Sequence, residues 1–317
     1  MKITEHIQNA KKPLFSFELL PPMKGQSIDQ IFEAIEPLME FEPPFIDVTY
    51  HREDFIYKKQ PNGLLEKVST RKRPGTVSIC AAIQFKYKVD AVPHLICGGF
   101  TKEDTENALI ELKFLGIDNV LVLRGDARKE DGGFIPETGG HSYASELIEQ
   151  VINLNNGKFL HEEYSGPNGT DFCIGVAGYP EKHFEAPNLK TDLRYLKMKV
   201  DMGAEYIVTQ MFFDNEKYEK FVTLCRENGI NVPIIPGLKP LTTKKQLTLL
   251  PKVFSIDIPE ELADAVADCK TDKEVREVGI EWCIQQSKGL IDLGAPCLHY
   301  YTMGKSDTIR RIGKAVF

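Results

Sequence analysis

The run "FSFELLPP", Phe15 to Pro22, sets a carboxylate inside an apolar stretch that stops at two prolines. An unpaired buried carboxylate costs several kcal/mol, so Glu18 needs either a partner or a raised pKa. A carboxyl that keeps its proton near neutral pH can serve as a general acid. Other groups able to do chemistry close later apolar stretches: Thr49 and Tyr50, His94, Arg124 and Asp126, Tyr179 and His183, Gln210, and Tyr301 with Lys305. Each has a plain structural reading. Glu18 could be half of an ion pair with an arginine, Asp126 a turn residue after Gly125, Gln210 a polar strand cap, and Thr49 a good strand former. Their recurrence at the ends of successive stretches points instead to one site.

Several chemistries are not signalled. No G-x-G-x-x-G follows a strand, no G-x-x-x-x-G-K-[ST] is present, no serine sits in G-x-S-x-G, and the histidines lack metal-ligand spacing. The seven cysteines are widely separated without a C-x-x-C, which argues against a disulfide framework or a metal site. A carboxylic acid, an Arg-Gly-Asp loop and several aromatic groups suit an organic cofactor or a conjugated substrate better.

The formal charge of −7 gives no support to nucleic-acid binding, and the basic run "KVSTRKRPG" reads as a solvated helix end or loop. No apolar run reaches eighteen residues, and "MKITEHIQNAKK" reads as a short amphipathic helix rather than an export signal. A soluble cytoplasmic protein without a membrane segment is expected.

Positioning these groups requires alternating elements. Strand patterns fall at 14–20, 45–50, 91–97, 119–124, 172–179, 205–212, 232–237 and 297–302, each followed by helical sequence. Thr101 caps one helix and Gly116 ends it; Gly203 and Gly229 end two others. Eight such units predict a (β/α)8 barrel, an α/β fold whose site lies at the C-terminal ends of the strands. An open doubly wound sheet is the alternative. The segment 76–85 reads as helix or irregular structure. The glycine-rich loop after the fourth strand, "LRGDARKEDGGFIPETGGHS", faces the site, whereas "NNGKFLHEEYSGPNGTD" elaborates the opposite side.

The blocks "FSFELLPP", "DVTY", "PHLIC", "LVLRGD", "YASELI", "AGYPEKH", "VTQMFFD", "IIPGLKP" and "LHYYTMGK", in that order from about residue 14 to 311, resemble those of the methylenetetrahydrofolate reductases. The resemblance implies a (β/α)8 barrel that binds FAD at its C-terminal face without a Rossmann domain. It further implies two-stage hydride transfer, from NADH or NADPH to FAD and then to 5,10-methylenetetrahydrofolate. By that resemblance Glu18 matches the general acid for ring opening and Asp126 the aspartate near the pterin and flavin. Gln210 matches a glutamine shared by nicotinamide and folate, and Thr49 a nicotinamide contact. The FAD positions are matched by Tyr50, His94, Arg124, Gly125, Asp126, Tyr143, Ala144, Tyr179, His183, Ala186, Asp192 and Lys199, with Gln246 and Lys305 matching folate contacts. A homo-oligomer is implied as well.

The match has departures. Tyr195 and Met198 stand where Asn and Arg are frequent, His51-Arg52 replaces a Gly-Ala pair, Lys305 replaces Arg, and Phe184 replaces proline. With the last residue at Phe317, a single catalytic domain over 1–317 without a regulatory domain is expected. Two other readings stay open: a flavin-free folate-binding barrel, and an aldolase or lyase with Lys199 or Lys305 as Schiff-base nucleophile.

Overall fold

The computed structural model describes the chain apart from residues 53, 71, 72, 128–130, 165 and 305. Its strands are β1 (Leu14–Leu19), β2 (Phe45–Val48), β3 (Asp54–Lys59), β4 (Leu65–Thr70), β5 (Asp90–Ile96), β6 (Asn119–Leu123), β7 (Cys173–Gly178), β8 (Tyr206–Thr209), β9 (Ile234–Ile235), β10 (Gly237–Leu238) and β11 (Cys297–Tyr301). All but β3 and β4 join one parallel sheet in the order β10-β11-β1-β2-β5-β6-β7-β8-β9. β9 and β10 are two pieces of one stave, pairing with β8 on one side and β11 on the other. The sheet therefore closes into a barrel of eight staves, as the alternation predicts.

The interruption falls at Pro236, which has no N–H to give a ladder. Its carbonyl still accepts from the His299 amide at 3.0 Å. The next amide, Gly237, turns to the Thr209 hydroxyl at 2.9 Å. A side chain cannot stand at Gly237, because its Cβ would lie 2.4 Å from the Tyr301 hydroxyl and 2.3 Å from the Thr209 carbonyl.

The helices are α1 (Ile3–Asn9), α2 (Asp29–Ile35), α3 (Thr76–Tyr87), α4 (Lys102–Phe114), α5 (Ala144–Asn155), α6 (Leu189–Asp201), α7 (Asn215–Glu227), α8 (Gln246–Phe254), α9 (Glu260–Asp268), α10 (Asp272–Asp292) and α11 (Asp307–Val316). Thr101 caps α4, accepting from the Asp104 amide at 3.1 Å. Gly116, Gly203 and Gly229 take the positive φ that ends α4, α6 and α7. The segment 76–85 is helical, within α3.

Two expectations need correction. Strands read as 45–50 and 205–212 stop at Val48 and Thr209, so Thr49, Tyr50 and Gln210 lie just past their staves. The run "KVSTRKRPG" is only in part a helix end or loop: Lys67–Thr70 belongs to β4, antiparallel to β3 in a hairpin turned at Gly63, while Gly75 is the N-cap of α3. The hairpin escapes a hydrophobic-pattern search because it is solvated along most of its length, leaving Tyr57 and Leu65 exposed.

Side chains alternate between two cores. Phe15, Phe17 and Leu19 of β1 point outward to the helices. Leu14 faces the barrel interior with Phe45, Val92, Leu121, Tyr206 and Cys297, and α1 closes this inner core from below through Ile3 and Ile7. Asn119 ties that plug down, accepting from the Ile3 amide at 2.8 Å and donating to the Met1 carbonyl at 2.9 Å. Ile3→Ala should therefore cost about 2–4 kcal/mol, a buried isoleucine's transfer and cavity terms together. Urea unfolding followed by the fluorescence of the single tryptophan, Trp282, would measure it.

Candidate active site

The inner face of the barrel changes character with height. Above the apolar floor of Leu14 and Cys297, the next paired layer is Ser16 with His299, and the one above is Glu18 with Tyr301 on one side and Asp47 on the other. The Ser16 hydroxyl meets His299 Nδ1 at 2.9 Å. The Tyr301 hydroxyl donates to the Thr209 carbonyl at 2.7 Å, across the stave break. Polar groups thus occupy the C-terminal mouth, where the alternating pattern put the site.

Glu18 has no arginine partner among the described residues. His94 Nε2 lies 3.7 Å from Glu18 Oε2 and 3.3 Å from Asp47 Oδ2, so one imidazole nitrogen faces two carboxylates. Asp47 is 1 % exposed, and its Oδ1 finds no hydrogen-bond partner among the described residues. Burial pushes the Glu18 carboxyl up to about 7, with Asp47 adding to the rise and His94 and Lys239 opposing it. Burial would lower the His94 pKa, but the Asp47 hydrogen bond and the two carboxylate charges outweigh it, and the net direction is up. Glu18 is thus a carboxyl that holds a proton near neutral pH beside a histidine that favours its own charged form.

A second group gathers around Arg124. Its guanidinium pairs with Glu185 at 2.7 Å and lies over the Phe134 ring, 5.1 Å from the centroid. The Glu185 carboxyl is held low by that arginine. The Asp192 carboxylate, in the first turn of α6, accepts from the His183 amide at 2.9 Å. His183 stands edge-on to Tyr179 with centroids 4.8 Å apart, and burial lowers its pKa. Lys199 reaches from α6 to donate to the Ala177 carbonyl at 3.0 Å, and burial lowers its pKa to about 8. Ala186 is buried, its carbonyl accepting from Lys182 at 2.9 Å. Gly125 holds φ +85° with Ile96 packed against it, and Asp126 is exposed on the loop that follows.

The rim carries the rest. The Thr49 hydroxyl donates to the Leu19 carbonyl at 3.2 Å, Tyr50 packs on Phe100, and the Gln210 side-chain oxygen accepts from the Met211 amide at 2.9 Å. Gln246 begins α8, where its Oε1 accepts from the Thr242 and Thr243 amides at 2.7 and 3.0 Å. Tyr143 and Ala144 begin α5, with Tyr143 well exposed. Among the described residues, no hydrogen bond, ion pair or ring contact joins Tyr143, Ala144 or Gln246 to either group. Lys305 lies outside the described residues. Of the divergent positions, Tyr195 and Met198 are exposed on α6, and Arg52 packs against Gly99, where a Cβ would come within 2.9 Å of it.

Asp47 and Lys239 belong to the site and were not legible as such. Only the register of β2 against β1 reveals Asp47 level with Glu18.

Comparison with known proteins settles the lineage. The family model described as methylenetetrahydrofolate reductase matches residues 2–316. The chain belongs to the methylenetetrahydrofolate reductase family. It is 34% identical over 314 residues to a Caenorhabditis elegans protein named "Probable methylenetetrahydrofolate reductase (NADPH)", covering 98% of this chain and 43% of that one. It is 30% identical over 293 residues to the Escherichia coli "5,10-methylenetetrahydrofolate reductase", covering 92% of this chain and 86% of that one. The chain thus spans less than half of the nematode reductase it matches. In three dimensions it superposes with TM-score 0.60 and 14% identity on an uncharacterised Clostridium thermocellum protein described as binding two copies of 5-methyl-5,6,7,8-tetrahydrofolic acid. That superposition covers 99% of this chain and 97% of the other, and it supports the barrel for this member of the reductase family.

Proposed function

We propose that this chain reduces 5,10-methylenetetrahydrofolate to 5-methyltetrahydrofolate with NAD(P)H through bound FAD, as a single catalytic barrel. The observation that carries the reading is Glu18, a mostly buried carboxyl whose pKa stands near 7 at the mouth of the barrel. Opening the substrate's imidazolidine ring requires a proton on N10, and a carboxyl still protonated at neutral pH can deliver it. The Glu18 O–H bond breaks and the N10–H bond forms. The electron pair of the N10–methylene bond goes to N10, leaving an N5 iminium that can accept hydride.

The Arg124 group fits a dinucleotide. Arg124 and Lys199 are both in electrostatic reach of His183, Arg124 paired with Glu185 and Lys199 acted on by Asp192, and a pyrophosphate would take Glu185's place on Arg124. Tyr50, His94, Tyr143, Ala144, Tyr179, His183, Ala186 and Asp192 would complete the FAD contacts. When bound, FAD supplies the hydride carrier between nicotinamide and folate. Thr49 and Gln210 sit at the rim to orient the nicotinamide and folate in turn, with Asp126, Gln246 and Lys305 toward the folate. Asp126's negative charge would disfavour negative charge on the reduced cofactor and so favour hydride release.

The test is anaerobic stopped-flow absorbance at the flavin maximum. Bleaching by NADH or NADPH and recovery on adding methylenetetrahydrofolate is the expected result. A protein that binds no flavin after FAD is added would overturn the reading in favour of a flavin-free folate-binding barrel.

A further inference from the structure

Lys239 neighbours Glu18 electrostatically, yet the reaction as proposed gives it no task. It follows β10, in which Gly237 pairs with His299 and Leu238 with Tyr300. The next position continues into the layer of Tyr301, which is itself level with Glu18. Alternation points it inward, as Gly237 faces the Tyr301 ring. Lys239 is 8 % exposed, and it makes no hydrogen bond or ion pair among the described residues. Lysine is seldom buried without a partner, so a cation held here needs an explanation. Flanking Pro240 and the stave break at Pro236 restrict its backbone, and a flexible surface excursion is not open to it.

Lys239 is coupled to Glu18. Around Glu18 stand Asp47 from β2, His94 from β5 and Tyr301 from β11, with His299 in the layer below. The Tyr301 hydroxyl is committed to the Thr209 carbonyl and His299 to Ser16. The charge that Lys239 feels is that of Glu18, and burial brings its own pKa down to about 8.

We propose that Lys239 is a positioning residue that places a cation across from Glu18 and, with the Asp47-bound His94, stabilises the carboxylate left when Glu18 gives up its proton. The proposal rests on the reading of Glu18 as the acid. The charge count gives the reason. Whatever charge the other groups carry, giving up its proton makes Glu18 one unit more negative. A charged Lys239 leaves the group one unit less negative after that step than it would be without it, in a poorly solvated barrel where an uncompensated charge is costly. Lys239 therefore offsets part of the rise that burial imposes on Glu18, leaving an acid protonated at neutral pH yet able to release its proton.

The experiment compares wild type, Lys239→Met and Lys239→Arg as FAD-loaded proteins. Infrared difference spectroscopy follows the protonated-carboxyl band of Glu18, assigned by its loss in Glu18→Gln, and needs no turnover. The band should titrate about one pH unit higher or more in Lys239→Met and return toward wild type in Lys239→Arg. In single-turnover oxidation of the reduced enzyme by methylenetetrahydrofolate, the alkaline limb of Lys239→Met should move up with the band while the plateau rate falls. Methionine replaces a buried charge with an apolar chain of similar shape, so the variant should fold, and a thermal melt checks this. An unmoved Glu18 band overturns the proposal. A raised folate KM with both pH profiles unchanged also overturns it, assigning Lys239 to direct substrate binding. Should Glu18→Gln retain full folate oxidation, the acid reading falls instead, and the infrared titration still reports whether Lys239 and Glu18 are coupled.

Discussion

Glu18→Gln should slow folate-dependent oxidation of the reduced protein by about 10²- to 10⁴-fold, the range for loss of a general acid. Glutamine keeps the size and polarity of the side chain, so FAD content and reduction by NAD(P)H should be retained. The pH dependence has a fixed sign. The carboxyl titrates near 7, so the competent protonated form prevails below that value and is lost above it. The wild-type half-reaction should decline as pH rises through 7, and the variant should show no such limb.

The same substitution should stabilise the fold. In the unfolded chain the carboxyl titrates at 4.5, against about 7 when folded. Between those values the folded protein keeps a proton that the unfolded chain has released, and stability falls as pH rises across the window. Below 4.5 both states are protonated and the variant gains nothing. Above 7 the cost of the buried charge is fully present, and Glu18→Gln should gain roughly 3 kcal/mol. Urea unfolding at pH 4 and pH 8 separates the two. Equal stability of both proteins at pH 8 would mean that Glu18 is not held out of its charged form.

Arg124→Gln should weaken FAD binding by about 10- to 100-fold, the loss of a charge-assisted contact to the pyrophosphate. Glu185 gives the prediction a second arm. It now occupies the guanidinium at 2.7 Å from a position 40% exposed, so any incoming phosphate must displace it. Glu185→Gln should therefore tighten FAD a few-fold and speed its association, the opposite direction from the arginine variant. Titration of the apoprotein with FAD, followed by quenching of flavin fluorescence, reads both. Wild-type affinity in Arg124→Gln would place the pyrophosphate elsewhere.

The staves were legible because a parallel barrel demands short apolar runs at regular spacing, each with helix signals between them. Glu18 stood out because its charge contradicts the run around it. Asp47 did not, since "FIDVTY" is an acceptable strand whichever way its residues point, and only pairing with β1 shows where the carboxylate goes. Lys239 was hidden by its setting between two prolines, where a lysine suggests a surface turn. The β3–β4 hairpin left a "QPNG" turn signal but no buried face to support it. Tertiary register, rather than local propensity, decided the first two.

The distribution of thiols has a practical consequence. Six of the seven cysteines are buried, and burial pushes Cys225, Cys283 and Cys297 up to about 12, far from the reactive thiolate. Cys269 is the one thiol partly open to solvent, at the junction of α9 and α10. Because α10 descends to the foot of β11, that junction lies on the same rim as Glu18. A maleimide dye should couple there alone in the native protein. The wild-type chain would then carry one optical probe at the edge of the barrel mouth, with no cysteine to remove first.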